Sequence, residues 1–118
     1  MTDADREPAR GPQDLERLLV ARQRSGDIEG MVALFEPDAI IHTDDGRVVR
    51  GHDAMRAFYV ELAAAGRVFV FGGQQPALVN GELALTSCRS LDGSVTAEVA
   101  RRQPDGTWLW VIDEYAIA

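Results

Sequence analysis

The sequence predicts an α+β domain in which three helices pack on one face of a strongly bent, mostly antiparallel sheet, in the order ααββαββββ. Apolar residues recur at helical spacing only within residues 13–66, whereas the second half of the chain is rich in β-branched and aromatic residues. Glycine-containing turn signals separate the apolar runs of this second half and indicate hairpins. Segregated helices and strands are therefore favoured over alternating βαβ units.

Three stretches have the apolar spacing of amphipathic helices. The first extends over residues 13–26 and the second over residues 27–37, where Asp27 is a suitable N-cap and Phe35 belongs to the apolar stripe. The third extends over residues 51–66 and ends at a glycine. Two helices are thus expected before the first strand, and one after the first hairpin.

Short apolar runs bounded by turn residues predict the strands. Asp-Gly at residues 45–46 and Asn-Gly at residues 80–81 suit the tight turns of twisted hairpins. The run at residues 68–71 begins the strand-rich half of the chain. Strands are expected at residues 39–43, 47–50, 76–79, 82–90, 94–103 and 107–117.

Size and composition predict one globular domain. The chain has 118 residues and a mass of 12.9 kDa, which is the size of a single core. Residues 1–12 are charged and lack apolar periodicity, so a flexible leader is expected there, followed by a single domain over residues 13–118. The absence of a long apolar run predicts a soluble, cytoplasmic protein with no membrane partner.

The charges exclude several classes of function. Twelve arginines, no lysine and nineteen acidic residues give a net charge of −7, and no basic stripe for nucleic acid is present. Without lysine, Schiff-base chemistry is excluded. A single cysteine, Cys88, and two histidines, His42 and His52, do not form a persuasive metal site. Neither a cofactor nor a metal is therefore expected.

The last strand predicts a homodimer. Along residues 107–117 both alternating faces are mainly apolar, which is typical of strands covered on both sides. The helices can cover only one side of the sheet, so a second copy of the chain is expected on the open face.

Several motifs resemble the nuclear transport factor two-like superfamily, which includes ketosteroid isomerase and the SnoaL-like polyketide cyclases. Residues 26–35 (GDIEGMVALF) with 37–39 (PDA) resemble its second helix and first strand. Residues 45–59 resemble its first hairpin and third helix, and residues 105–108 (DGTW) with Asp113 resemble the last hairpin of its bacterial members. The resemblance covers residues 15–117. It implies a conical fold around an apolar pocket.

The resemblance does not carry over the full active site of the isomerase. Its aspartate base falls at Thr43 when counted forward from residues 37–39, and at His42 when counted back from residues 50–51. The three tyrosines of the isomerase fall at Leu19, Phe35 and Tyr59, of which only Tyr59 is a tyrosine. Its protonated aspartate falls near Glu98. Because two of the three hydroxyls are missing, steroid isomerisation itself is not expected.

His42, Asp113 and Tyr59 are the candidate catalytic residues. An imidazole at the mouth of an apolar cone could act as a base. Asp113 shares a strand face with Leu109 and Val111, and in a pocket its carboxyl would have a raised pKa. Tyr59 could donate to an oxyanion. The structural alternatives are a solvated histidine, an ion-paired aspartate and a core tyrosine.

Other polar residues are expected to be structural. Asp44 and Asp45 form a turn, Glu98 lies on a solvated strand face, and Cys88 is a small buried residue. His52 has a local role at the start of the third helix.

Two functions follow as hypotheses. The first is a cofactor-independent isomerase, cyclase or hydrolyase that acts on a small hydrophobic molecule. The second is a non-catalytic ligand-binding or accessory dimer of the same fold, which the missing hydroxyls favour. The expected pocket lining consists of Leu19, Phe35, Ile41, Phe58, Phe69 and Trp110.

Overall fold

The computed structural model of the chain describes residues 5–70 and 72–117. The described residues form three helices, namely α1 (Asp14–Arg24), α2 (Ile28–Val32) and α3 (Gly51–Ala64). They also form seven strands: β1 (Phe35–His42), β2 (Val48–Arg50), β3 (Gly73–Gln74), β4 (Leu78–Asn80), β5 (Leu83–Arg89), β6 (Val95–Arg102) and β7 (Trp108–Glu114). The α+β class is confirmed, and the short strand β3 adds one strand to the expected order.

The strands form a single mixed sheet with the order β2-β1-β7-β6-β5-β3, and β4 pairs with β5 beside this path. β1 and β7 are parallel, and the other neighbouring strands are antiparallel. The helices cover the inner face of the sheet. The core between them is centred on Trp110, whose ring lies 5.1 Å from that of Phe35.

Local sequence signals set the ends of the helices. The Asp27 side chain accepts a hydrogen bond from the backbone N–H of Gly30 at 3.1 Å, which caps α2 as expected. α1 and α3 are followed by Gly26 and Gly66 at φ of 73° and 72°, a conformation that favours glycine.

The second helix is shorter than its apolar stripe predicts. α2 ends at Val32, and Phe35 begins β1 instead of continuing the helix. Phe35 pairs with Trp110 in the sheet, and the backbone N–H of Trp110 donates to the carbonyl of Leu34 at 2.8 Å. Pairing with β7 therefore overrides the local helical spacing, and Pro37 lies within the irregular part of β1.

Two further expectations need correction. Residues 68–70 form no strand; Phe71 lies outside the described residues, and the next strand starts at Gly73. The described part of the expected leader is packed against the domain, because Ala9 is buried and its carbonyl accepts a hydrogen bond from the Trp108 N–H at 2.9 Å. Arg6 also forms an ion pair with Asp27 at 2.8 Å. Residues 1–4 lie outside the described residues.

A β-bulge in β7 changes which residues face the helices. Ala100 pairs with Trp110, but Val99 pairs with Ile112, so Val111 is an extra residue in β7. The alternation of β7 is inverted after this point. Asp113 therefore shares the inner face with Trp110, and not with Leu109 and Val111 as the uninterrupted alternation predicts.

Candidate functional site

The polar residues of the site lie in one row across the inner face of the sheet. Thr86 is opposite Glu98, Glu98 is opposite Asp113, and the parallel pairing of β1 and β7 extends the row to Ile41. Directly opposed side chains have Cβ atoms about 5 Å apart. Two carboxyls are thus close neighbours beside an apolar row that consists of Ala84, Ala100, Trp110 and Phe35.

A cavity of about 430 Å³ opens beside this polar row. Its walls come from α1, from residues 67–70, from the turn at residues 90–94 and from the inner faces of β6 and β7. The volume is that of a pocket for a small organic molecule. Its apolar lining consists of Leu19, Val68, Phe69, Val70, Leu91 and Ala116.

Three carboxyls meet in this cavity, and we call Glu16, Glu98 and Asp113 the carboxyl cluster. Glu98 and Asp113 are 3% and 5% exposed. Glu98 accepts a hydrogen bond from the Thr86 hydroxyl at 2.8 Å. Glu16 and Asp113 accept none from the residues that the structure describes. Two carboxyls of the cluster therefore face the cavity without a hydrogen-bond donor.

Burial and mutual repulsion keep protons on the carboxyl cluster. Desolvation, together with the charge of Glu98, raises the pKa of Glu16 to about 7. Desolvation and the charges of Glu98 and Glu16 raise the pKa of Asp113 well above its ordinary value. The pKa of Glu98 is also raised, mainly by burial. Because neighbouring like charges resist joint ionisation, the cluster can both donate and accept a proton near neutral pH.

Two tyrosine hydroxyls lie buried beside the carboxyl cluster. Tyr115 lines the cavity, and Tyr59 lies behind it on α3. Neither hydroxyl makes a hydrogen bond of good geometry with the described residues. Each is close enough to the other to influence its pKa, and burial raises both pKa values. The phenols are therefore neutral and retain O–H groups that could stabilise a developing oxyanion.

Charged residues surround the mouth of the cavity. Arg67 is the basic residue of the described lining, and its guanidinium pairs with Asp44 at 2.9 Å. Asp92 lies at the same mouth, where its carboxylate accepts hydrogen bonds from the N–H and hydroxyl of Ser94. The positive charge at the mouth is thus already engaged by a carboxylate.

One group of side chains has the spacing of metal ligands. A carboxylate oxygen of Glu16, one of Glu98 and Sγ of Cys88 all lie within 4.8 Å of one another. Burial, followed by the nearby carboxylates, raises the pKa of Cys88 to about 12. A metal would need a thiolate there. The acidic surroundings oppose that ionisation, so the chemistry of this set fits a metal poorly.

The structure separates the candidate catalytic residues. Asp113 lines the cavity, and its raised pKa agrees with the expectation for a poorly solvated carboxyl. His42 points outward, because Ile41 and Asp113 occupy the inner face and His42 pairs with Glu114 at 2.8 Å on the other. His42 and Asp113 therefore lie on opposite faces of the sheet and cannot act together in one cavity. Thr43, the alternative base position, is buried and hydrogen-bonded to its own turn.

The expected lining is only partly found at the cavity. Leu19 and Phe69 line it. The other four side chains fill the hydrophobic core between the helices and the sheet: Phe35, Ile41, Phe58 and Trp110.

Sequence reasoning missed or misassigned three residues of the site. Glu98 was expected on a solvated face but is buried, because β6 turns Glu98 and Ala100 inward together. Glu16 stands three residues before Leu19 on α1, so a lining role for Leu19 already implies that Glu16 is near. Tyr115 lies beyond the bulge of β7, where the alternation no longer assigns its face.

The fold has counterparts among solved structures. The chain is 24% identical to a nuclear transport factor two-like protein with a cystatin-like fold from Novosphingobium aromaticivorans, at a TM-score of 0.63 over 86% of this chain and 75% of the other. It is 11% identical to a ketosteroid isomerase-like protein from Erwinia carotovora, at a TM-score of 0.68 over 90% and 93% of the two chains. These identities support the fold alone.

A curated relative matches part of the chain. The ECF RNA polymerase sigma factor SigJ of Mycobacterium tuberculosis is 36% identical over 72 residues, which are 55% of this chain and 23% of the relative. The chain thus spans less than a quarter of the length of that protein.

Two further findings concern the helices and the family of the chain. Within residues 5–70 and 72–117, none of the helices has the length and apolar character needed to cross a bilayer. The model of the SnoaL-like domain matches residues 15–118, which include every helix and strand described above except the first residue of α1. The chain belongs to the SnoaL-like domain family.

Proposed function

We propose that the cavity binds a small apolar metabolite and that Asp113 exchanges a proton with it, in an isomerase, cyclase or hydrolyase reaction without a cofactor. The observation that supports this proposal most is the Asp113 carboxyl. It is 5% exposed, faces a ligand-sized cavity and has no hydrogen-bond donor among the described residues. Asp113 thus takes the role that sequence reasoning gave to His42.

The chemistry follows from the groups that face the cavity. In its ionised form, Asp113 would remove a proton from a carbon next to a carbonyl, and the electron pair of that bond would move to the carbonyl oxygen. The hydroxyl of Tyr115 would donate a hydrogen bond to this oxygen. Return of the proton to another carbon would complete an isomerisation. Glu16 and Glu98 keep the pKa of Asp113 high, which makes it a stronger base once ionised.

Proton exchange into an apolar ketone tests this proposal. Tetralone has acidic protons beside its carbonyl, and its deuteration in heavy water can be followed by NMR. We expect the wild-type chain to accelerate this exchange and Asp113→Asn to abolish the acceleration. The matched control is Asp38→Asn, because Asp38 is exposed and outside the cavity lining. Equal rates for wild type and Asp113→Asn would refute proton transfer by Asp113.

A second candidate function is a ligand-binding or accessory module without catalysis. Leu19 and Phe35 lack the hydroxyls of the isomerase, and the sigma factor relative carries a similar stretch within a transcription protein. This candidate predicts that tetralone shifts NMR signals of the cavity lining without any deuterium exchange. Val68→Trp, a substitution at an exposed position of the mouth, should then block binding without disturbing the core.

We further propose that a second copy of the chain covers the outer face of the sheet. A row of aliphatic side chains crosses five strands on this face, and cross-strand pairing places each next to its neighbour. Leu78, Leu85 and Ile112 are 70%, 48% and 44% exposed in the single chain. A contiguous exposed apolar surface is typical of an interface. The row consists of Leu78, Leu85, Val99, Ile112 and Ile40.

A further inference from the structure

We infer that the ligand of the cavity carries a protonated amine on an otherwise apolar body, and that Glu16 and Glu98 hold this ammonium group. The inference rests on the proposed function and names the class of its substrate. Asp113 remains free for proton transfer. Three features of the cavity point to this ligand: its acidic charge, the carboxyl that accepts no hydrogen bond from the described residues, and the spacing of two carboxyls.

The cavity is strongly acidic for its size. Its lining contains five acidic residues and one basic residue. The basic residue, Arg67, is at the mouth, and its pairing with Asp44 at 2.9 Å leaves little positive charge for an anionic ligand. A carboxylate or phosphate would meet repulsion, whereas a cation would be attracted. The acidic lining consists of Glu16, Asp44, Asp92, Glu98 and Asp113.

The carboxyls of the cavity accept few hydrogen bonds from the described residues. Among the described residues, the one hydrogen bond of good geometry to the carboxyl cluster runs from the Thr86 hydroxyl to Glu98. Asp113 provides independent support, since it is 5% exposed and faces the cavity without a donor. Buried acceptors without partners are costly. A carbonyl ligand adds only acceptors and a hydroxyl adds one donor, but an ammonium group adds three donors and a positive charge.

Two carboxyls have a spacing that one nitrogen can bridge. Carboxylate oxygens of Glu16 and Glu98 lie within 4.8 Å of each other. A nitrogen placed between them could form charge-assisted hydrogen bonds of about 2.8 Å to both. Leu19, Phe69 and the aliphatic side chains of the cavity would then contact the apolar body of the ligand.

A matched pair of ligands tests this inference. Aminotetralin and tetralol share one bicyclic body, and they differ in an ammonium or a hydroxyl group on the saturated ring. We expect calorimetry on the full chain at about pH 8 to show aminotetralin binding about tenfold tighter or more, as for a hydrogen bond to a charged group. Glu16→Gln and Glu98→Gln should each reduce this preference about tenfold, because each removes one charged acceptor.

The control variant is Asp92→Asn, which removes one negative charge at the mouth and keeps the oxygen that accepts from Ser94. It should change the preference less than about threefold, since exposed charges are screened. Aminotetralin that binds no tighter than tetralol would overturn the inference but leave the proposed apolar pocket standing. If neither ligand binds, both fail. A preference that survives both glutamine variants would also overturn the assignment to Glu16 and Glu98.

Discussion

Replacing Glu16 with glutamine should change how the stability of the domain depends on pH. In the folded chain the pKa of Glu16 is raised from 4.5 to about 7 by burial and by Glu98. Between pH 4.5 and about pH 7, Glu16 keeps its proton in the folded chain but has lost it in the unfolded chain. The free energy of unfolding therefore falls as the pH rises through this range. Each pKa unit corresponds to about 1.4 kcal/mol, so the rise from 4.5 to about 7 gives a loss of at most about 3.5 kcal/mol.

Glu16→Gln removes this ionisation and keeps the shape of the side chain. The variant should therefore equal wild type below about pH 4 and exceed it above about pH 7, by at most about 3.5 kcal/mol of unfolding free energy or roughly 14 °C in Tm. Urea unfolding, followed by the fluorescence of the buried Trp108 and Trp110, measures the difference. Asp38→Asn, at an exposed position, is the control and should show no such difference. A Glu16→Gln curve parallel to wild type at all pH values would refute the coupling of Glu16 to the buried cluster.

Three further predictions concern other parts of the molecule. Arg22→Met should lower the free energy of unfolding by about 2–4 kcal/mol in chemical denaturation, because the buried guanidinium donates to two backbone carbonyls. Arg24→Met, at an exposed position, is the control and should lower it by less than about 0.5 kcal/mol. Val99→Asp should convert a dimer to a monomer in analytical ultracentrifugation. Val60→Asp, at an exposed position of α3 on the opposite side of the sheet, should not. A wild-type monomer would contradict the proposed interface. Burial raises the pKa of Cys88 to about 12. In the native chain at about pH 8, Cys88 should therefore react with a thiol reagent at least about 1,000-fold more slowly than a free cysteine. Rapid labelling would contradict this burial.

The turn chemistry explains why most of the fold could be predicted from the sequence. Glycines after residues 45, 80, 92 and 105 adopt positive φ, and the strands around them lie within a few residues of their expected positions. Phe35 shows where local reasoning fails, because its helical spacing is real but its pairing with Trp110 decides the structure. Long-range pairing of this kind has no signal within a few residues of sequence.

The site was less predictable than the fold, because it depends on which face of the sheet each side chain occupies. One extra residue, Val111, inverts the alternation of β7 and brings Asp113 to the inner face. The uninterrupted alternation therefore assigns Asp113 to the wrong face, and the bulge turns it toward the cavity. On β6, Thr96, Glu98 and Arg102 alternate as on a solvated strand, but Glu98 is buried because it lies on the inner face with Ala100.

The most direct test of the carboxyl cluster is an NMR titration of the side-chain carboxyl carbons, with Asp113→Asn and Glu16→Gln used to assign the signals. We predict that Asp113 retains its proton well above the ordinary pKa of 3.8. We also predict that the Asp113 and Glu16 signals shift when aminotetralin is added. An Asp113 signal that titrates near 3.8 and ignores the ligand would contradict a buried, ligand-facing carboxyl cluster.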